Sequence, residues 1–252
     1  MIEQHFSIHD TGERILPTQL GETSFVFARH KFAYCHVQQF VENKTVIDVG
    51  CGSGYGCHIL SQRAKLVCGI DHDAEIIAYC RQRYHNSKLS FLQMDATRLN
   101  LDQQFDVVIN FQMIEHVEDM ESFIDVLRQA AKPEGTIFIS TPRIPEEKVN
   151  KGKNPFHAHD LTYHQFYYLI NRKFTEFEIV GVAYAAQNRL RTIITRLPIY
   201  RWGRLLSRKS KLKKLAGRSM GLSKFKIITT DVEHHAADLL AICRNSSHSQ
   251  QA

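Results

Sequence analysis

Hydrophobic positions along this chain gather into short, nearly continuous runs separated by stretches with helical spacing, the alternation expected of a parallel α/β sheet covered by helices on both faces. The runs are Val46, Ile47 and Val49 around Asp48, then Lys65 to Ile70, Leu89 to Met94, Phe105 to Phe111, TIFISTP at 136–142, FTEFEIVGVAY at 174–184 and DLLAICR at 238–244. Seven strands are therefore expected. Between them the spacing predicts a helix over 25–41 capped by Thr23 or Ser24, with Phe25, Phe32, Val37 and Phe40 as candidates for its buried stripe. Further helices are expected at Tyr55 to Ala64, at Ala74 to Tyr84 behind Asp73, at 120–131 behind Glu118 or Asp119, and at Thr162 to Asn171 behind Asp160 or Thr162 itself. The run Lys132-Pro133-Glu134-Gly135 should stop the fourth of these.

The first strand leads into TVIDVGCGSGYG, Thr45 to Gly56, where Gly50, Gly52 and Gly54 alternate with other residues. Glycine alone takes left-handed dihedrals at little cost, so a tight turn is expected whose backbone N–H groups and following helix end face a ligand. A phosphate loop is excluded because no Gly-Lys-Ser/Thr ending follows. The dinucleotide pattern fits poorly, since Tyr55 or Cys57 stands where its third glycine belongs. Asp71, at the end of the second strand, is placed to accept hydrogen bonds from both ribose hydroxyls of an adenosine. His30 and Tyr34 lie either on the surface of the first helix or toward the ligand.

The pattern Asp48-x-Gly50-x-Gly52-x-Gly54 resembles the first motif of class I S-adenosylmethionine-dependent methyltransferases. With Gly12-Glu13-Arg14, Pro17, FQMIEHV, KPEGTIFISTP and Asn154-Pro155-Phe156-His157, the chain looks like the type 11 and 23 methyltransferases, especially those acting on sugars in bacterial surface-polysaccharide assembly. The resemblance implies a Rossmann-like, doubly wound seven-stranded sheet, mostly parallel, whose last strand is antiparallel and pairs with the sixth. It also implies S-adenosyl-L-methionine as cofactor and S-adenosyl-L-homocysteine as product. Gly50, Gly52 and Gly54 would shape the cofactor turn, Asp48 would orient the methionine end, and Asp95 with Ala96 would select adenine. Gln112 would line the site from the methyl-donor side, and His116 or, second, His157 would serve as general base toward a hydroxyl. His157 and His159 beside Asp160 supply too few ligands for a metal site, so none is expected.

Composition adds a second theme. Net charge is +6, yet thirteen Lys or Arg and no acid fall between Arg189 and Lys226, so the remainder of the chain is acidic. We expect one domain over 1–252, an irregular segment at 1–22, and a basic helical insertion at 185–232 between the last two strands. Residues 189–226 would either lie on anionic lipid or cap the site, with nucleic acid a weaker alternative. Six cysteines without metal or pairing spacing, and no apolar leader or spanning run, point to a cytoplasmic protein whose expected membrane contact is peripheral at most. The expected acceptor is a sugar or glycan. The alternatives are a quinone precursor, another small metabolite or RNA, and, in another class, a non-catalytic cofactor-binding module.

Overall fold

The computed structural model describes residues 25–185, except 100, 102 and 150–155, together with 222–246. The expected segment 1–22 and most of the expected insertion lie outside the described residues. Eight strands form one sheet: β1 Thr45–Val49, β2 Leu66–Asp71, β3 Leu89–Gln93, β4 Phe105–Phe111, β5 Ala131–Pro142, β6 Phe177–Tyr184, β7 Phe225–Ile228 and β8 Asp238–Arg244. Their order is β3-β2-β1-β4-β5-β8-β6-β7. Strands β1 to β5 pair in parallel, and β8 runs antiparallel between β5 and β6. The observed sheet is therefore the expected one, with its antiparallel last strand paired to the sixth, plus a short edge strand. That addition, β7, pairs antiparallel with β6 from Gly181↔Ile228 to Tyr184↔Phe225. It went unread because four residues beside a basic run carry little periodic signal.

Helices α1 Phe25–Val37, α2 Tyr55–Ser61, α3 Ala74–Arg83, α4 Met120–Ala130, α5 Tyr163–Asn171 and the short α6 Val232–His235 complete the described structure. The alternation of strand side chains divides the core in two. Ile47, Val108 and Ile139 pack with Phe123 and Ile124 of α4 and Phe166 of α5. Val46, Val107, Ile109 and Phe138 pack on the opposite face with Val37 of α1, Leu60 of α2 and Ile76 of α3. Strand order reverses between β1 and β4, and a crevice at the carboxyl ends of strands is where such sheets hold ligands. Buried Asn110 of β4 donates to Val49 O at 2.9 Å and ties the two strands together at that end.

Local chemistry explains the boundaries. Asp73 accepts from the N–H groups of Glu75 and Ile76, Asp119 from that of Ser122, and Thr162 forms a capping box with Gln165. The stop before β5 is absorbed into the strand as an irregularity: Ala131 already pairs with Phe105, and the register shifts before Val107↔Thr136. Glu134 accordingly sits at φ 61°, and Lys132 reaches Asp106 at 2.7 Å.

The expected stripe of α1 is corrected. Of its four candidates only Val37 is buried, whereas Phe25 and Phe40 are exposed. The helix instead buries Phe27, Ala28, Ala33 and Tyr34. Its close neighbour is the start of α2, where a Cβ on Gly56 would stand 2.2 Å from the Tyr34 ring. Gly56→Ala should therefore cost about 2 kcal/mol by overpacking, lowering Tm by about 5 °C. Thermal unfolding in a Tyr34→Ala background, where space is made, should show that cost largely removed.

Candidate cofactor and acceptor site

The turn after β1 adopts the conformation its glycines permit, with φ of 79° at Gly50, 50° at Gly52 and 74° at Gly54. Gly50 and Cys51 both donate to Ile70 O at 2.9 Å, which draws the turn against the end of β2. Gly54 is the N-cap of α2, and a Cβ on Gly50 would meet Met113 Sδ at 2.7 Å. Close approach, as well as dihedral freedom, thus demands glycine there.

Beneath the turn lies Asp48, fully buried. Tyr34 Oη donates to its carboxylate at 3.1 Å, and Cys57 Sγ donates at 3.3 Å. Burial raises its pKa to about 7, against the lowering effect of those two hydrogen bonds. The carboxylate is not among the groups lining the cavity, and its hydrogen bonds make it a footing under the turn.

Asp71 stands at the other side of the turn. Its Oδ2 accepts from Gly52 N at 3.1 Å and its Oδ1 from Asp73 N at 3.0 Å. A cavity of about 760 Å³ opens above these groups, within the size range of small-molecule sites. Of the expected residues, Gly50, Gly52, Asp71, Asp95, Ala96, Gln112 and His116 line it. Asp95 Oδ1 is taken by the N–H and hydroxyl of Thr97 at 2.9 and 2.8 Å, bonds that lower its pKa. Gln112 holds φ 55°, its N–H bonded to Ser140 O at 2.9 Å.

His30 and Tyr34 also line the cavity, which settles the alternatives left by the helix pattern. Burial, with a smaller contribution from Arg29, pushes His30 down to about 3, so its imidazole is neutral. Sequence reasoning passed over Cys51, Ser53 and Tyr55. Met113, in the loop after β4, lines the cavity beside Gln112.

His157 lies beside the cavity and reaches the site through a loop. Residues 156–160 are fastened across the 3₁₀ turn Ile114–His116 and the residues that follow it. His116 Nδ1 bonds Phe156 O at 2.9 Å, His159 N donates to Glu115 O at 3.0 Å, and His159 Nε2 donates to Glu118 O at 2.9 Å. The rings of His116 and His157 then meet edge to face at 5.0 Å, and His157 Nδ1 bonds Asp160 Oδ1 at 3.0 Å. Asp160 therefore orients a histidine, and Thr162 is left to cap α5.

With this geometry in place, comparison with known proteins is informative. Residues 47–139 match the family described as methyltransferase domain. Over 154 residues, 60% of this chain and 59% of its counterpart, the sequence is 33% identical to a Mycolicibacterium smegmatis protein named a probable S-adenosylmethionine-dependent methyltransferase. Over 102 residues, 39% of this chain, it is 37% identical to the ubiquinone biosynthesis O-methyltransferase of Pseudomonas paraeruginosa, covering 44% of that protein. The chain thus matches about half the length of these relatives. In solved structures the fold is similar to a Thermotoga maritima S-adenosylmethionine-dependent methyltransferase, with TM-score 0.60, 14% identity and coverage of 91% of this chain and 97% of that one. It is also similar to the N-methyltransferase NodS of Bradyrhizobium japonicum in complex with S-adenosyl-L-homocysteine, with TM-score 0.52, 14% identity and 87% of each chain covered. Residues 47–139 thus match a methyltransferase domain, and the fold around them is the one these solved structures share. Among the described residues no helix is long and apolar enough to cross a membrane.

Buried Asp48 and Asp238, the latter also raised to about 7 by burial against the opposing Arg29, give a pH prediction. Both carboxyls bind protons more tightly folded than unfolded, so their contribution to stability is full below about pH 4 and is lost as pH rises through about 7. Asp106 acts oppositely: although partial burial raises it, bonds from Lys132 and Thr45 hold it at about 2, so its contribution is lost only at stronger acidity. Asp48→Asn should therefore narrow the difference in Tm between pH 5 and pH 8, measured by thermal unfolding across that range.

Proposed function

We propose that this chain is an S-adenosylmethionine-dependent methyltransferase that methylates a hydroxyl of a small-molecule or glycan acceptor. The observation that carries the reading is the convergence on one cavity of a glycine turn, the Asp71 carboxylate at the end of β2, and Asp95 with Ala96 after β3. The fit is physical. Asp71 keeps acceptor capacity beyond its two backbone bonds for a pair of ribose hydroxyls. Asp95 Oδ2 accepts no hydrogen bond among the described residues, which suits an adenine amino group, and the N–H of buried Ala96 suits a ring nitrogen. Gly50 and Gly52 let the backbone approach the ligand closely, and Gly54 starts the helix that follows. Asp48 acts through Tyr34 and the turn.

When bound, the cofactor supplies an already activated methyl on a sulfonium, so the protein's part is to hold the acceptor in line, a contribution worth up to ~7–11 kcal/mol in favourable systems. Held by the glycine turn, Asp71, Asp95 and Ala96, the cofactor would supply the methyl group to the acceptor oxygen and would keep the electron pair of the carbon–sulfur bond. The hydroxyl proton passes to His116, with His157 as the second base beside it. Gln112 and Met113 border the same end of the cavity.

A sugar or glycan of a surface polysaccharide is the acceptor that the wider motif set supports, and the basic residues between 189 and 226 would suit an acceptor carried at an anionic membrane surface. A quinone precursor is the second reading, supported by the similarity to a ubiquinone biosynthesis O-methyltransferase. Both present a hydroxyl to the same cavity.

Asp71→Ala should weaken S-adenosyl-L-homocysteine binding about thirtyfold or more, the loss of charge-assisted hydrogen bonds, with the circular dichroism spectrum retained. Unchanged affinity by calorimetry would remove Asp71 from the site. His116→Ala should lower kcat by about a hundredfold while leaving cofactor affinity near normal, and turnover of hydroxyl acceptors by His116→Ala and His157→Ala at normal rates would end the general-base assignment.

A further inference from the structure

We infer that Glu115, His116 and His157 form a binding site for one divalent transition-metal cation of the zinc type. One ligand atom from each lies within 4.8 Å of the others, a spacing that a cation would tighten only modestly. The two histidines are far apart in the sequence, and the fastening of 156–160 onto the Ile114–His116 turn is what brings them together.

The hydrogen bonds around the rings have the form that metal-ligating histidines need. His116 Nδ1 is bound to a backbone carbonyl oxygen at 2.9 Å and His157 Nδ1 to the Asp160 carboxylate at 3.0 Å. Neither oxygen can donate, so each Nδ1 carries the proton and each Nε2 carries the lone pair. A carboxylate or carbonyl behind the ring is the outer support that fixes the tautomer and orientation of a ligating histidine. Glu115 supplies the charge: it is 2% exposed, and a carboxylate taken out of water favours a cation beside it.

Two imidazoles and one carboxylate suit zinc, manganese or cobalt better than magnesium or calcium, which favour oxygen ligands throughout. Three protein ligands also leave coordination positions open, as in catalytic rather than structural zinc sites. The exposed edge of the site is His116, which lines the cavity.

The chemical consequence rests on the methyltransferase reading; the site itself does not. Adjacent hydroxyls of a vicinal diol or catechol would occupy the open positions and the cation would acidify the one being methylated. In the loaded protein the imidazoles then act as ligands, and the proton released as the oxygen–methyl bond forms goes to water. In the cation-free protein the same imidazoles remain the base.

The test is titration of the EDTA-dialysed full chain with Zn²⁺ by calorimetry and with Co²⁺ by visible absorption. One equivalent should bind, with cobalt bands characteristic of mixed nitrogen and oxygen ligation, and Mg²⁺ at the same concentration should not compete. Glu115→Gln and His157→Ala should each weaken Zn²⁺ at least tenfold, and Asp160→Asn about tenfold through loss of the outer support. Calorimetry with S-adenosyl-L-homocysteine on the same samples reports folding and keeps the two readings apart: cation binding without cofactor binding would remove the methyltransferase reading and leave this site standing. Absence of stoichiometric Zn²⁺ or Co²⁺ binding by the wild-type chain would overturn the proposal. So would affinity unchanged in His157→Ala, whose loop position spares the core, because the cation would then be held elsewhere.

Discussion

The structure depends on one backbone constraint: between β1 and α2 the chain must turn through left-handed dihedrals at three alternate residues while passing close to a neighbouring loop. Gly50, Gly52 and Gly54 meet it. Because they do, the turn folds back onto Ile70 O, Gly52 N reaches the Asp71 carboxylate, and the first turn of α2 lies against the Tyr34 ring. The turn therefore joins β1, β2 and two helices, and the cavity is the space those contacts leave above it.

That arrangement distributes three carboxylates by environment. Asp48 is enclosed, with its pKa raised by burial, and supports the turn through Tyr34 and Cys57. Asp71 faces the cavity while holding two backbone N–H groups, and exposed Asp95 is held low by Thr97. Residues of one type near or just past the carboxyl ends of strands thus sit in different environments, one enclosed as a support and two at the cavity, according to how much water each retains.

The His116 end of the cavity is built differently. Its groups do not come from strand ends but from the packing of 156–160 over the turn after β4, held by three hydrogen bonds that involve His116 and His159. The same packing turns a histidine pair and a buried glutamate toward one point. Positioning there rests on a loop anchored at several atoms, which combines a defined ring orientation with an open face toward the cavity.

Sequence alone determined the order of strands and helices, the glycine turn, the placing of Asp71 and Asp95 at or just past strand ends and most helix caps, because each is written in contiguous residues: apolar runs, glycine spacing, or an Asp or Thr before a helix. Tertiary structure alone decided the rest. Which face of α1 is buried depended on the space left by Gly56, and β7 existed only because β6 offered it an edge. Asp48 is enclosed because the turn closes above it. Glu115 and His116 met His157 only through the docking of distant segments, and no local pattern of residues encodes a contact between chain segments forty positions apart.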